Sequence, residues 1–383
     1  MSLPPTPAGA LAFGAARPLG FNTQTSVKAS GVTRKILLGR IIRAQERRHA
    51  SRDTNRVVRP FEWGAEYVSE FAGVPAGDPR AAVLAASRAA VERSEEFYAL
   101  APVTDYALDG DRLTWTSGVR TPTPENNTAR ARFFPAEPRR AARKDSSARG
   151  RAVVVLPQWN ADAESHVALC RLLARLGIAA LRLTLPYHEE RRPAEIERAD
   201  YMVSPNVGRT LQSLRQAVVD ARAAAAWLRA RGYERVGVTG TSIGSCTAFL
   251  AFVHDERIDA GVFNHVSGYV ADVVWRGIST QHVRAGVEGS LTIEELREAW
   301  LPISPMSYTR RLTGLRRRPM RFIAARHDLT FPADLSHEVI ASVRATGVPV
   351  NVSWLPCGHY TSGERPWVYL DGWKIVGFLR KNL

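Results

Sequence analysis

The run Val236-Gly237-Val238-Thr239-Gly240-Thr241-Ser242-Ile243-Gly244-Ser245 constrains this chain more than any other stretch. A short β-branched segment leads into Gly-x-Ser-x-Gly and then into the helix-forming Cys246-Thr247-Ala248-Phe249-Leu250-Ala251, the order strand, tight turn, helix. Such a turn holds its serine in a strained backbone conformation with the hydroxyl clear of the sheet. Glycines two residues to either side let strand and helix approach closely. Taken alone, the motif arises by chance often enough, and Ser242 reads equally as an ordinary helix N-cap.

An acid and a base at later strand ends make the signal specific. Met320 to Ala325 reads as a buried strand that runs into Arg326-His327-Asp328-Leu329-Thr330-Phe331-Pro332. Asp328 therefore lies just past a strand end, ahead of a proline suited to the first turn of a helix. Val350 to Leu355 is a further strand, followed by Pro356-Cys357-Gly358-His359-Tyr360, so His359 also sits just past a strand. A serine hydroxyl is a poor nucleophile at neutral pH. An imidazole can take its proton and return it to the leaving group, and a carboxylate fixes the imidazole tautomer and stabilises the imidazolium. Separately, Asp328 reads as a helix cap and His359 as a surface-loop histidine. Their coincidence with Ser242 in the chain order Ser, Asp, His favours a triad.

The chain around these residues resembles the serine hydrolases of the α/β-hydrolase superfamily from Asp105 to its C-terminus. Arg151 to Leu156 and Ile178 to Leu185 read as strands, Asp162 to Leu176 and Ser204 to Arg231 as helices, and Asp259 to His265 as a strand beyond the elbow helix. Strands alternating with helices predict a mostly parallel sheet covered on both faces. Tyr106 to Ser117 and Asn127 to Pro135 predict a leading antiparallel pair, and Trp367 to Arg380 a final helix. More narrowly, Pro186-Tyr187-His188-Glu189-Glu190-Arg191-Arg192-Pro193 is similar to the Pro-Tyr-Tyr-x-x-Arg-Arg/Lys-Pro segment of the α/β-hydrolase domain-containing protein 18 group. Thr239 to Gly244 matches that group's elbow. The resemblance implies hydrolase activity on an acyl-ester or lipid-like substrate.

Many members of the superfamily carry His-Gly-x after the first parallel strand, where it supplies one oxyanion N–H. This chain has Pro157-Gln158-Trp159. By position the N–H falls at Trp159, with Gln158 the runner-up, and Ile243, next to the nucleophile, supplies the second donor. About fifty residues, 268–318, separate two predicted sheet strands, too many for an ordinary connection. In this fold such an insertion forms a lid, with Trp275, His282 and Arg284 as candidates to line it. Tyr187, Arg191 and Arg192 follow a strand at the sheet end where ligands bind. The two arginines could fork onto a carboxylate or phosphate, or simply pair with Glu189, Glu190 or Glu195.

Residues 1–33 read as a mobile N-terminal tail and 34–104 as a helical extension of the hydrolase domain at 105–383. Arg34 to Arg48 predicts a basic amphipathic helix with Leu37, Leu38, Ile41 and Ile42 on one face and Arg40, Arg43 and Arg47 opposite. Packing of that apolar stripe on its own domain is favoured over peripheral contact with an anionic membrane. Arg59 to Gly64 is aromatic enough to dock on the core, Asp78 to Leu100 predicts a helix, and Arg139 to Arg149 a polar basic loop.

The net charge of +15 invites a nucleic-acid reading, but only five of the 52 basic residues are lysine, and no recognition motif or aromatic stacking pattern accompanies them. Nucleic-acid binding is not expected. No run approaches the roughly 20 apolar residues of a membrane span, and Leu11 to Ala16 lacks the features of a signal peptide. Cys170, Cys246 and Cys357 fit neither a disulfide framework nor a zinc spacing, which points to a reducing, cytoplasmic setting. No metal or cofactor is expected. The Walker and dinucleotide glycine motifs are both missing. The sequence thus predicts a serine carboxylic-ester hydrolase. An acyltransferase working through the same acyl-enzyme, or a binding protein that has kept the fold, are the alternatives.

Overall fold

The computed structural model describes residues 23–71, 77–137 and 150–383. The basic loop expected at Arg139 to Arg149 lies outside them. Among the described residues, nine strands form one sheet: β1 (Ala107–Asp109), β2 (Arg112–Thr116), β3 (Thr128–Phe134), β4 (Arg151–Leu156), β5 (Ala179–Thr184), β6 (Arg235–Thr241), β7 (Ala260–Asn264), β8 (Met320–Ala325) and β9 (Val350–Leu355). Their order is β1-β2-β3-β5-β4-β6-β7-β8-β9. The pairs from β1 to β5 along this order are antiparallel and all later pairs parallel. The helices are α1 (Thr23–Ala50), α2 (Pro79–Glu92), α3 (Ser94–Phe97), α4 (Val167–Arg175), α5 (Val207–Ala230), α6 (Ile243–His254), α7 (Val270–Arg276), α8 (Gln281–Val287), α9 (Ile293–Ala299), α10 (Ala333–Ala345) and α11 (Trp367–Asn382). This is the α/β-hydrolase fold.

A central parallel strand is covered on both faces and so reads as an unbroken apolar run rather than an alternation. In β4, Val154 and Leu156 enter the core shared with α5 and α6, while Val153 and Val155 enter a second core beneath α4 and α11. Each fully buried side chain of this size contributes about 1.5–3 kcal/mol. The Ala-rich α5 lies close along the sheet because its small side chains permit it; Ala217, Ala221, Ala224 and Ala225 are all buried.

The helix expected from Asp78 to Leu100 is capped as its sequence suggests. The Asp78 side chain accepts from the backbone N–H groups of Arg80 and Ala81, with Pro79 at the first helical position. It breaks at Arg93 into α2 and α3. The insertion carries α7, α8 and α9, the last closed by a Thr292–Glu295 capping box. Phe61 and Trp63 pack against the main core, and Glu62 bridges to Asn206 at the start of α5.

Helix α1 differs from its prediction. It extends back to Thr23, into the stretch read as a tail. Ile42, one member of the predicted apolar stripe, and Glu46, one turn further on, are both buried. Arg43, expected on the solvent side, is half-buried beside His327. Glu46 accepts from the backbone N–H groups of Tyr360 and Thr361.

Candidate active site

Ser242 directly follows β6 and caps α6 with φ 59° and ψ −127°, a region that costs a non-glycine residue on the order of 1–3 kcal/mol. The strain is held by its neighbours. Ser242 N–H donates to Asn264 O at 2.9 Å, and its carbonyl accepts from Ser245 N–H at 2.8 Å. A Cβ at Gly240 would lie 2.0 Å from Gly244 O, and one at Gly244 would lie 2.3 Å from Pro157 O. Both glycines of the motif are therefore required by close backbone approach.

The loops after β8 and β9 bring the other two residues to it. The Ser242 hydroxyl lies 3.0 Å from His359 Nε2, and His359 Nδ1 lies 2.9 Å from Asp328 Oδ2. Asp328 Oδ1 accepts from the N–H groups of Thr330 and Phe331 at 2.8 and 2.6 Å. The Phe331 ring stacks on the imidazole at 5.1 Å. Burial works to raise the Asp328 carboxyl, but the charges and hydrogen bonds of His359 and His265 outweigh it and hold the group well below the usual carboxylate range. An ionised Asp328 places the His359 proton on Nδ1, which leaves the Nε2 lone pair facing the serine hydroxyl.

Two participants in this arrangement escaped the sequence reading. His265, at the end of β7, lies with Nδ1 3.2 Å from the same Asp328 oxygen. Burial opposes its protonation, but its bond to Asp328 raises its pKa overall. The second is Glu46. Its Oε1 accepts from Thr361 N–H at 2.8 Å and its Oε2 from Tyr360 N–H at 3.1 Å, in the turn that carries His359. The available signal for Glu46 was an acid four residues after Ile42 on an otherwise basic helix. His265, Asp328 and His359 offer ligand atoms within 4.8 Å of one another, as a metal site would need. Both histidine Nδ1 atoms, however, are engaged with the carboxylate.

Ser242 and His359 open into a cavity of about 560 Å³ that Gln158, Trp159 and Ile243 also line. As the first residue of α6, Ile243 has no intrahelical acceptor for its N–H. Among the described residues, the N–H groups of Gln158 and Trp159 likewise meet no protein acceptor. Their loop is fixed from behind by His188, whose Nε2 accepts from Asn160 N–H at 2.8 Å while Nδ1 donates to Pro186 O at 2.9 Å. Burial lowers the His188 pKa to about 4, which keeps the ring neutral and this bonding pattern intact. The Trp159 indole donates to Ala199 O at 2.9 Å and stacks on His282 at 5.7 Å.

Tyr187, Arg191 and Arg192 are not brought to the cavity. Arg191 is fully buried, paired with the equally buried Asp220 at 2.9 Å, and donates to the carbonyls of Asn126 and Thr184. Its partner is thus none of the three glutamates expected. Burial pushes the guanidinium down and the Asp220 carboxyl up, and the pairing opposes both. Tyr187 is buried against Tyr201, its N–H bonded to Asn126 Oδ1. Arg192 is exposed and caps Glu197 O at 2.5 Å. Through His188 the Pro186–Pro193 segment supports the Gln158–Trp159 loop, and its arginines lie outside the cavity lining. In the insertion, Val270, Val273, Val274, Ser279 and Thr280 line the cavity, whereas Trp275, His282 and Arg284 do not. Arg284 is taken up by Glu288 and Trp275 O.

The model of the dienelactone hydrolase family matches residues 139–360, more than half of the chain and inclusive of Ser242, Asp328 and His359. The chain belongs to the dienelactone hydrolase family. It is accordingly a serine hydrolase of the α/β-hydrolase superfamily. Among solved structures it is similar to the acylaminoacyl peptidase of Pyrococcus horikoshii (14% identity, TM-score 0.51, 73% of this chain and 49% of that one). A puromycin-hydrolyzing peptidase of Mycobacterium tuberculosis is alike at 15% identity and TM-score 0.51, over 74% of this chain and 49% of that one. An acetyl xylan esterase from Paenibacillus sp. R4 is alike at 12% identity and TM-score 0.55, over 83% of this chain and 99% of that one. At these identities the likeness is one of fold, and the chain spans about half the length of the peptidases. No curated protein matches the sequence. Among the described residues, no helix is long and apolar enough to cross a membrane.

Proposed function

We propose that this dienelactone hydrolase family member is a carboxylic-ester hydrolase whose triad is Ser242, His359 and Asp328. The observation that carries the reading is the continuous contact from Ser242 Oγ through both imidazole nitrogens to a buried, ionised carboxylate. His359 Nε2 takes the serine proton as Oγ attacks the acyl carbon. The tetrahedral oxyanion faces the N–H groups of Ile243 and Trp159, with Gln158 as the alternative to Trp159. Each such donor is worth about 3 kcal/mol in the transition state. His359 then returns the proton to the departing alkoxide, and a water activated by the same nitrogen releases the acid.

The preference for an acyl ester, including a lipid-like one, is supported by the apolar wall that Val203, Val270, Val273 and Val274 present to the cavity. Kinship with the α/β-hydrolase domain-containing protein 18 group, resting on Pro186–Pro193 and Thr239–Gly244, belongs to the same proposal. So does a cytoplasmic location, for which three buried free cysteines speak. Peripheral membrane contact through residues 34–48 is supported by exposed Leu37, Leu38 and Ile41 among exposed arginines. The test is a matched series of acyl esters and acyl anilides of increasing chain length. Ester turnover should exceed anilide turnover at every length; preferential anilide cleavage would make the enzyme an amidase instead.

A further inference from the structure

The cavity has a second wall, formed by α4 and α11 beside the carboxyl ends of β6 and β7. Ala168 and Leu169 on α4 and Val368, Asp371 and Ile375 on α11 line it. Across this wall runs a row of polar residues: His166, Thr241, Asn264 and Asp371, all of which line the cavity. Thr241 immediately precedes Ser242 and is paired in register with Asn264, whose carbonyl accepts the Ser242 N–H. The row is thus built on the same two strand ends as the nucleophile.

Its internal bonds leave three atoms over. Asn264 Nδ2 donates to Asp371 Oδ2 at 2.7 Å, and His166 Nε2 lies 3.0 Å from Thr241 Oγ1. Asn264 Oδ1, Asp371 Oδ1 and His166 Nδ1 are buried and have no hydrogen-bond partner among the described residues. Asn264 itself is 1% exposed. Buried polar atoms in folded proteins are nearly always satisfied, so three orphans on one cavity wall need an explanation. Arg56 Nε, Arg198 Nε and Thr330 Oγ1, on residues that line the same cavity, are also without a partner, but both arginines are bonded through their other nitrogens, whereas the three atoms above lie on one row built on the strand ends beside Ser242.

The chemistry of the three atoms selects the ligand. Two are oxygens that only accept. Burial lowers His166 to about 4, so its ring is neutral, and in the tautomer that donates from Nε2 to Thr241 Oγ1 the third atom, Nδ1, presents a lone pair and accepts as well. Asp371 is a carboxyl that burial raises to about 6, with His265 and Asn264 working against that rise. It is largely ionised at neutral pH and forms no ion pair among the described residues. A buried carboxylate without a cation is costly, and a cation brought against it would relieve that cost. An anion would be repelled. A hydroxyl has one proton for three acceptors, whereas a primary ammonium has three protons and the complementary charge.

We infer that this wall is a specificity subsite for a primary ammonium group carried by the substrate, received by Asp371 Oδ1, Asn264 Oδ1 and His166 Nδ1. The inference rests on the ester-hydrolase reading of Ser242, and it narrows the substrate class to amino-substituted acyl esters.

Binding to the Ser242→Ala chain, which removes turnover, tests it with hexylammonium, hexanol and hexanoate as probes in titration calorimetry. Hexylammonium should bind at least about tenfold more tightly than hexanol, the scale of one charge-assisted hydrogen bond, with hexanoate weakest. Asp371→Asn on the same background should erase the difference between hexylammonium and hexanol. Equal binding of the three probes, or tighter binding of hexanol or hexanoate, overturns the subsite without recourse to the Asp371 variant. A preference for hexylammonium that survives Asp371→Asn overturns it as well. Turnover of a neutral hexanoyl ester by the unaltered chain tests the underlying reading separately. Its absence sinks the ester hydrolase, while the binding comparison still decides the subsite.

Discussion

Glu46 and Thr361 are joined by a 2.8 Å hydrogen bond from the backbone N–H of Thr361 to Glu46 Oε1. With the matching bond from Tyr360 N–H, the carboxylate of an N-terminal helix fixes the turn that holds the His359 imidazole. The fit is close: a Cβ on Gly358 would come within 2.2 Å of Glu46 Cδ. Glu46→Ala should lower kcat by about ten- to a hundredfold with little change in KM, since about 1.5–3 kcal/mol is the usual worth of hydrogen bonds to a charged group. Glu46→Gln, which retains one acceptor oxygen, should fall between. Steady-state kinetics on both variants check this, and a kcat within twofold of the parent for Glu46→Ala contradicts it.

Asp328→Asn should preserve the fold, because an Asn oxygen can still accept from Thr330 and Phe331. It should cut kcat by about 10⁴, the scale of a triad held in the wrong tautomer. Glu364, the nearest acid after His359 in sequence, cannot substitute, since it is bound to His49 at 2.8 Å and nearly half exposed. Near-parental kcat in Asp328→Asn would place the acid elsewhere.

The three residues of the proposed triad could be picked out in the sequence because each sits at the carboxyl end of a strand, where local pattern fixes position. Parallel strands buried on both faces announced themselves for the same reason. What could not be read were the contacts between distant segments. Glu46 looks like a solvated charge until the 315-residue span to Thr361 is closed. Arg191 looks like a ligand-binding arginine until Asp220 is found beside it on α5. The helical period of α1 suggested an apolar stripe, but it could not show that Glu46 is buried one turn beyond Ile42. In the insertion, the bulky residues drew attention, yet small valines one turn away face the cavity.

Arg191→Ala should destabilise the chain by about 3–5 kcal/mol, the cost of leaving one member of a buried ion pair alone. Both side chains are 0% exposed, so solvent does not screen the loss. Arg191→Lys should recover little, because a single ammonium cannot serve Asp220, Asn126 O and Thr184 O together. Urea denaturation measures this; a loss below about 1 kcal/mol in Arg191→Ala would show that the buried pair carries no load.

Acid should weaken the fold well before carboxylates of ordinary pKa titrate. Burial holds His166, His188 and His282 near 4 and His254 near 3, against about 6.5 in the unfolded chain. Between those values the unfolded chain binds protons that the folded chain refuses. Stability present above pH 6.5 is therefore lost as pH falls toward 4. His188 is the most consequential, since its protonation also breaks the bond from Asn160 N–H. Urea midpoints across this range should fall steeply, and a flat profile from pH 7 to 4.5 would contradict the burial of these rings.

Asp371 acts in the opposite sense. With a folded pKa of about 6 and an unfolded one near 3.8, the folded chain binds the extra proton, so its ionisation costs stability as pH rises through that window. Asp371→Asn should raise stability at pH 7.5 by on the order of 3 kcal/mol. The gap should close as pH falls to about 4. Equal stability of variant and parent at pH 7.5 would mean that the carboxylate is already paired or well hydrated.

The central claim is that Ser242 is the nucleophile, and its most direct test is covalent labelling with a fluorophosphonate followed by peptide mapping. The unaltered chain should carry one adduct, at Ser242, and Ser242→Ala should lose both the adduct and ester turnover. An adduct on a different serine, or turnover that persists in Ser242→Ala, would contradict the account.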